Sequence, residues 1–304
     1  MDPILGAALR SWDWRIEIIV ILAAAGIIFS VGWLRLRNRT RGSNAGNRWR
    51  AGATWRPFVY VLGLLILALA LMSPIDVLGT QLFTIHMVQH VLLVMIIPPL
   101  LLLANPIVFI LWGLPTSSRK AVGGWLGPNA RPRKIIKAIT GVGIVWLAYV
   151  IVIWGWHDPL AYSLALRSNI AHDLEHISFF VVAMIFWWHI IGAGPKIHSS
   201  LSYGGRFAYA ISAIPPIMIA GIVIAFAKEP IYSHYELVPR LWNISVMEDQ
   251  RIAGVIMWVP GSMMYIVAAL IVVGRWLQKE ESKPSLPESN WAADEALLAP
   301  GIKK

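Results

Sequence analysis

Along this chain apolar residues neither alternate nor keep to one helical face. They run almost unbroken over long stretches, and polar residues gather between the runs. A helix needs about 20 consecutive apolar residues to cross the hydrocarbon core of a bilayer. Seven stretches meet or approach that length: roughly 16–33, 57–73, 82–103, 135–156, 172–192, 207–227 and 252–274. The pattern predicts an all-α polytopic membrane bundle of seven transmembrane helices. The first run carries Glu17 and the second is short at its edges. The first is also longer than the apolar core of a signal peptide and is followed by no A-x-A-like cleavage site, so it reads as a retained span.

Composition agrees with the pattern. Of 304 residues 57% are hydrophobic and only 14% charged, mean hydropathy is +0.64, and tryptophan occurs 16 times. A soluble domain of this size has no use for that much apolar surface. The net charge of +10 would suit a nucleic-acid binder, but the basic residues sit in short segments between apolar runs, which points to the lipid bilayer instead. Of the 26 lysines and arginines, 20 fall between spans one and two, three and four, five and six, and in the tail. The positive-inside bias then places the N-terminus outside, the C-terminus in the cytoplasm, and the chain in a bacterial plasma membrane as a multi-pass protein. We expect a single transmembrane domain over 1–278 and a flexible cytoplasmic tail over 279–304, which is rich in Pro, Ser, Lys and Glu.

Cysteine is absent, which removes disulfides, thiolate metal sites and cysteine nucleophiles together. A metal would be held by imidazole, carboxylate or thioether. Three spans are interrupted by proline, at Pro98-Pro99, Pro215-Pro216 and Pro260-Gly261. Each interruption predicts a kink whose freed carbonyls need partners from neighbouring helices or water.

The chemistry lies in the histidines. His86 and His90 open the third span as HMVQH, and His172 and His176 open the fifth as HDLEH. Four-residue spacing puts both members of a pair on one helix face, one turn apart. Both spans descend from the same side, so two such helices packed together bring four imidazoles to one point, a common way for a bundle to build a metal or proton site. A lone histidine at this depth would more often cap a helix or touch headgroups. Two pairs of one spacing, depth and direction favour a functional interior, where costly ionisable groups in spans usually point. Gln89 and Glu175 complete a shared H-x-x-[Q/E]-H pattern, and Glu175 is placed to orient an imidazole or to join the coordination. His157, His234 and Asp249 lie on the same side, whereas His189 and His198 fall on the other. Met87 and Met95 offer the soft thioethers that Cu(I) accepts.

At these residues the sequence resembles a known family. HMVQH with the following PPLLLLANP, then WHDPLAYSLAL, HDLEHISFFVVAMIFWW and DQRIAGVIMWVPG look like the landmarks of the CtaG family of multi-span cytochrome c oxidase assembly factors. The resemblance covers about residues 57–275. It implies a non-enzymatic role in producing active haem-copper oxidase, through copper delivery or insertion, with oxidase subunits and other copper chaperones as partners. His86, His90, His172, His176 and Asp249 occupy matching motif positions as metal ligands, and His157 matches the WH-x-P element.

Two other classes fit parts of the pattern. HDLEH satisfies H-x-x-E-H, in which paired histidines bind zinc and the glutamate acts as general base of a metalloprotease, although the duplicate HMVQH has no place in such a site. A b-type cytochrome ligates haem through histidines on facing helices, but pairs at i, i+4 suit one compact ion better.

Overall fold

The computed structural model describes residues 6–7, 10–40 and 53–282. Of the expected flexible tail over 279–304, residues 279–281 continue the last helix, and residues 283–304 lie outside the described residues, as does the centre of the arginine-rich first loop. Within them all regular structure is helical. Six helices are long and apolar enough to cross a bilayer: α1 (Ile16–Thr40), α2 (Trp55–Met72), α4 (Phe83–Leu103), α10 (Asn169–Ile191), α11 (Tyr203–Phe226) and α13 (Val246–Glu281). Shorter helices join them: α3 (Pro74–Gly79), α5 (Pro106–Gly113), α6 (Thr116–Trp125), α9 (Pro159–Arg167) and α12 (His234–Leu237).

The expected fourth span is built differently from the others. α7 (Arg131–Ile139) and α8 (Val142–Trp156) meet at a 57° bend. α8 alone is 15 residues long, about 22 Å at 1.5 Å per residue, so it needs help from its neighbour to cover the bilayer. α7 carries Arg131, Arg133, Lys134 and Lys137 against exposed Ile135 and Ile139, the pattern of a helix lying along an interface. The pair counts as the seventh span if taken as one broken crossing.

In lipid, helices are held by packing and by polar contacts between them rather than by a hydrophobic drive. Outward positions such as Leu65, Ile151 and Leu270 are exposed, whereas Phe29, Tyr149, Phe186 and Tyr265 are fully buried. Tyr149 stacks on Phe186 at 4.3 Å and shares a 2.5 Å hydrogen bond with the Tyr265 hydroxyl, tying α8 to α10 and α13. α11 and α13 approach backbone to backbone: a Cβ at Gly254 would lie 2.7 Å from the Gly221 carbonyl oxygen, so only glycine fits.

The proline interruptions behave as their chemistry requires. Pro98 cannot donate to the Val94 carbonyl, and that carbonyl accepts instead from the Trp187 indole N–H at 2.8 Å, from α10. The preceding turn, Leu92–Ile96, widens into a π-helical segment, a local distortion found disproportionately at functional sites. It begins two residues after His90.

Candidate metal centre

Three helices begin at the same end of the bundle, and their starts are tied together. The α13 residue Asp249 is buried, and its carboxylate accepts from the backbone N–H of Phe83 at 3.0 Å and of Thr84 at 2.9 Å. It thereby caps α4. The Thr84 hydroxyl donates back to the Asp249 carbonyl, and Arg240 balances the carboxylate at 3.2 Å. α10 opens on Ser168, whose side chain accepts from Ala171 N–H. These caps fix the first turns of α4 and α10, where the two histidine pairs lie.

The pairs face each other. Ring centroids are 4.2 Å apart for His86 and His90 and 4.1 Å for His172 and His176. Across the helices His86 lies 5.8 Å from His172 and 6.1 Å from His176, and His90 lies 5.7 Å from His176. Glu175 points into the same space: Oε2 is 3.7 Å from His86 Nε2 and Oε1 is 3.4 Å from His90 Nε2. One ligand atom from each of His86, His172, Glu175 and His176 falls within 4.8 Å of the others. His86, Glu175 and His176 are all but completely buried.

Hydrogen bonding does not account for this gathering. Both ring nitrogens of His86 and His90, Nε2 of His172 and His176, and both carboxylate oxygens of Glu175 are buried without a hydrogen-bond partner. Each such group costs about 1–3 kcal/mol and calls for an explanation. A bound cation supplies one, since it would satisfy lone pairs on neutral imidazoles and on the carboxylate at once.

Asp249 and His157 stand apart from the four-residue group. The Asp249 carboxylate is committed to the α4 cap and to Arg240, so its part in the site is to position α4. His157, which ends α8, packs against His90 with centroids 5.8 Å apart. Its Nδ1 lies 2.7 Å from the Ile153 carbonyl, an acceptor only, so Nδ1 carries the proton and the buried Nε2 presents a lone pair. Burial holds this imidazole below its ordinary pKa, in the neutral form that binds metal. His234 spends Nε2 on the Thr80 carbonyl.

A comparison with known sequences now places the chain. The pattern of the family described as "Cytochrome c oxidase caa3 assembly factor (Caa3_CtaG)" matches residues 27–279. The chain belongs to this family. The match begins within α1, ahead of the motif-bearing stretch, and so takes in the second half of the first span of this CtaG member. Uncharacterized proteins of Mycobacterium bovis and Mycobacterium tuberculosis are each 26% identical over 297 residues, 93% of this chain and 42% of theirs. One of Mycobacterium leprae is 26% identical over 275 residues, 88% of this chain and 40% of its own. The chain therefore spans about two-fifths of the length of the curated relatives it matches. No solved structure matches it.

Around the cluster of this CtaG member stand groups that sequence patterning did not single out, Asp76, Tyr162, Tyr235 and Arg15, and Gln89 serves Asp76 rather than the histidines. Gln89 turns away from the histidines and donates to Asp76 Oδ1 and to the Ala70 carbonyl, each at 2.7 Å. Asp76, on α3, is close enough to interact electrostatically with His86 and His172, and burial pushes its carboxyl above the ordinary range. Tyr235 donates to the Gly79 carbonyl, which obliges Tyr162 to donate to the Tyr235 hydroxyl, and the Tyr162 ring lies 5.1 Å from His86. Only distant aromatic positions in the 159–167 and 231–237 segments signal this tyrosine cover, and nothing in their spacing links them. Arg15, just before α1, forms a bidentate pair with Asp173 beside His172, at 2.5 and 2.7 Å.

Proposed function

We propose that this chain handles copper during assembly of haem-copper cytochrome c oxidase, holding the ion between α4 and α10 near the outer face of a bacterial plasma membrane. Oxidase subunits, and copper chaperones that deliver to them, are the partners this role requires. The observation that carries the reading is the convergence of His86, His172, Glu175 and His176, each with at least one buried ring nitrogen or carboxylate oxygen that has no hydrogen-bond partner, in a member of an oxidase assembly family.

The donor set fits the ion. Imidazole suits Cu, Zn, Fe and Ni, and one carboxylate offsets part of the charge of a divalent ion in a low-dielectric site. The oxidase context selects copper as cargo. Without thiolates the site holds the ion less tightly than a cysteine cluster would, which suits delivery. Asp76 on α3 steadies the α4 pair through Gln89, and the Asp249 cap sets its register. His90 lies against Glu175 and is placed to orient it.

The family gives the assembly role more weight than a zinc protease using the H-x-x-E-H motif. Direct ring-to-ring packing of the histidines disfavours a b-type haem, whose macrocycle needs a slot between facing imidazoles. The test is deletion of the gene at limiting copper. Oxidase activity and copper content should fall together while other respiratory enzymes are spared, and normal oxidase metallation would sink the proposal. Orientation has its own check: a reporter fused after Arg48 should be cytoplasmic and one near His157 outside.

A further inference from the structure

Next to the four-residue cluster is a second feature that the coordination of one ion does not use. A cavity of about 40 Å³ is lined by Met87, Met95 and Met257 and by His90 and His157, with apolar residues such as Ile153, Phe179 and Ile217 making up most of the remaining wall. That is room for a water molecule or a small ion. The walls come from α4, α10, α11, α13 and the end of α8. Methionine is the usual gap-filler of irregular cores, yet here three methionines surround space instead of filling it. His90 and His157 border the same space; Nε2 of His157 and Nδ1 of His90 have no hydrogen-bond partner, and His90 Nε2 lies 3.4 Å from Glu175 Oε1. Interiors pack to near-crystal density and buried polar atoms are ordinarily paired, so the cavity departs from both norms in one place.

The two neighbouring sites differ in charge and in softness. The cluster contains Glu175, which compensates a divalent ion. No acidic residue lines the cavity, so an ion there would keep its full charge in a low-dielectric surround, which favours a single positive charge over two. Thioether sulfur is a soft donor that prefers Cu(I) to Zn(II) or Cu(II). We infer that the Met87, Met95, Met257, His90 and His157 cavity is a second cation station, selective for a soft monovalent ion of the copper(I) type. His90 is the wall it shares with the first: its ring is 4.2 Å from His86 on one side and 5.8 Å from His157 on the other. The inference rests on the reading that this end of the bundle handles copper, and it adds that the oxidation state decides which station an ion occupies.

Silver(I) is a redox-silent probe for the soft station and cobalt(II) a probe for the cluster, both titrated into the full chain in detergent. Methionine to leucine nearly conserves volume, so Met87→Leu/Met95→Leu/Met257→Leu should fold. It should weaken silver(I) at least about tenfold while changing cobalt(II) less than about threefold, and His176→Ala should do the reverse. Should the triple variant fail to fold, His157→Gln replaces it, with loss of silver(I) affinity again expected. X-ray absorption of the silver-loaded wild type should show sulfur neighbours. Silver(I) affinity untouched by these changes, or a silver shell without sulfur, overturns the soft station and leaves the proposed function standing if cobalt(II) still binds. Silver(I) weakened by the triple variant in a protein that binds no cobalt(II) upholds the soft station and sinks the cluster's role.

Discussion

The two ends of this bundle hold histidines in opposite ways. At the end where α4 and α10 begin, His86, His90, His172 and His176 crowd together with buried nitrogens that have no partners. At the other end His189 and His198 both spend Nε2 on a single residue. His189 Nε2 donates to the Thr140 carbonyl at 2.9 Å, the Thr140 hydroxyl donates to the Ile136 carbonyl, and that hydroxyl therefore accepts from His198 Nε2 at 2.8 Å. That network closes the bend between α7 and α8. A structural histidine has its hydrogen bonds built in, whereas a ligand histidine has its lone pairs left open. The arginine–carboxylate pairs among the described residues, Arg15 with Glu17 and Asp173 and Arg240 with Asp249, lie at the first end as well.

The sharpest way to break this comparison is in the cell. A deletion strain complemented with His86→Ala/His176→Ala should recover no more than about a tenth of the oxidase activity that His189→Ala/His198→Ala restores, since the first pair loses ligands and the second only a network. Equal rescue by both would erase the distinction. Next in size is Glu175→Gln, which keeps shape and removes charge. It should weaken divalent metal about tenfold or more in an equilibrium titration, by loss of the one anionic donor.

Asp249→Ala tests positioning against ligation. It leaves the Phe83 and Thr84 N–H groups and Arg240 without their acceptor, so thermal unfolding in detergent should show a loss of about 2 kcal/mol. Metal bound per folded molecule should stay at the wild-type level, and a fall to zero would make Asp249 a ligand after all. Trp187→Phe should cost a smaller amount, about 1 kcal/mol, by orphaning the Val94 carbonyl next to Pro98.

How far the sequence alone reaches is visible at particular residues. Span existence was legible because lipid demands long apolar runs, and the helical structure answers six of the seven runs with single long helices. The 135–156 run concealed the Thr140–Gly141 bend, because α7 places Ile135, Ile136 and Ile139 among its cations and so continues the apolar count of α8. Spacing of four put each histidine pair on one face, but spacing cannot tell a ligand from a cap. Asp249 precedes a span just as a ligand from outside would, yet two backbone N–H groups from α4 claim its oxygens. Gln89 and Glu175 occupy the same motif position and diverge in role, because α3 presents Asp76 to one while His86 and His90 face the other. Met257 carried no signal at all, since α13 is apolar on every side there.

Acidity gives a gentler probe of the same contrast. Imidazole binds metal only as the neutral form, so protons compete with the ion below the ordinary histidine pKa of about 6.5. Affinity at the cluster should be flat above that value and fall as pH drops below it.

The most direct measurement of the central claim is copper per folded molecule after loading purified protein and removing excess ion. The wild type and His189→Ala/His198→Ala should retain it equally, and His86→Ala/His176→Ala should retain none at the cluster while staying folded. Undiminished copper in that last variant, or its absence from the wild type, would contradict the assignment of the open histidines as the copper site.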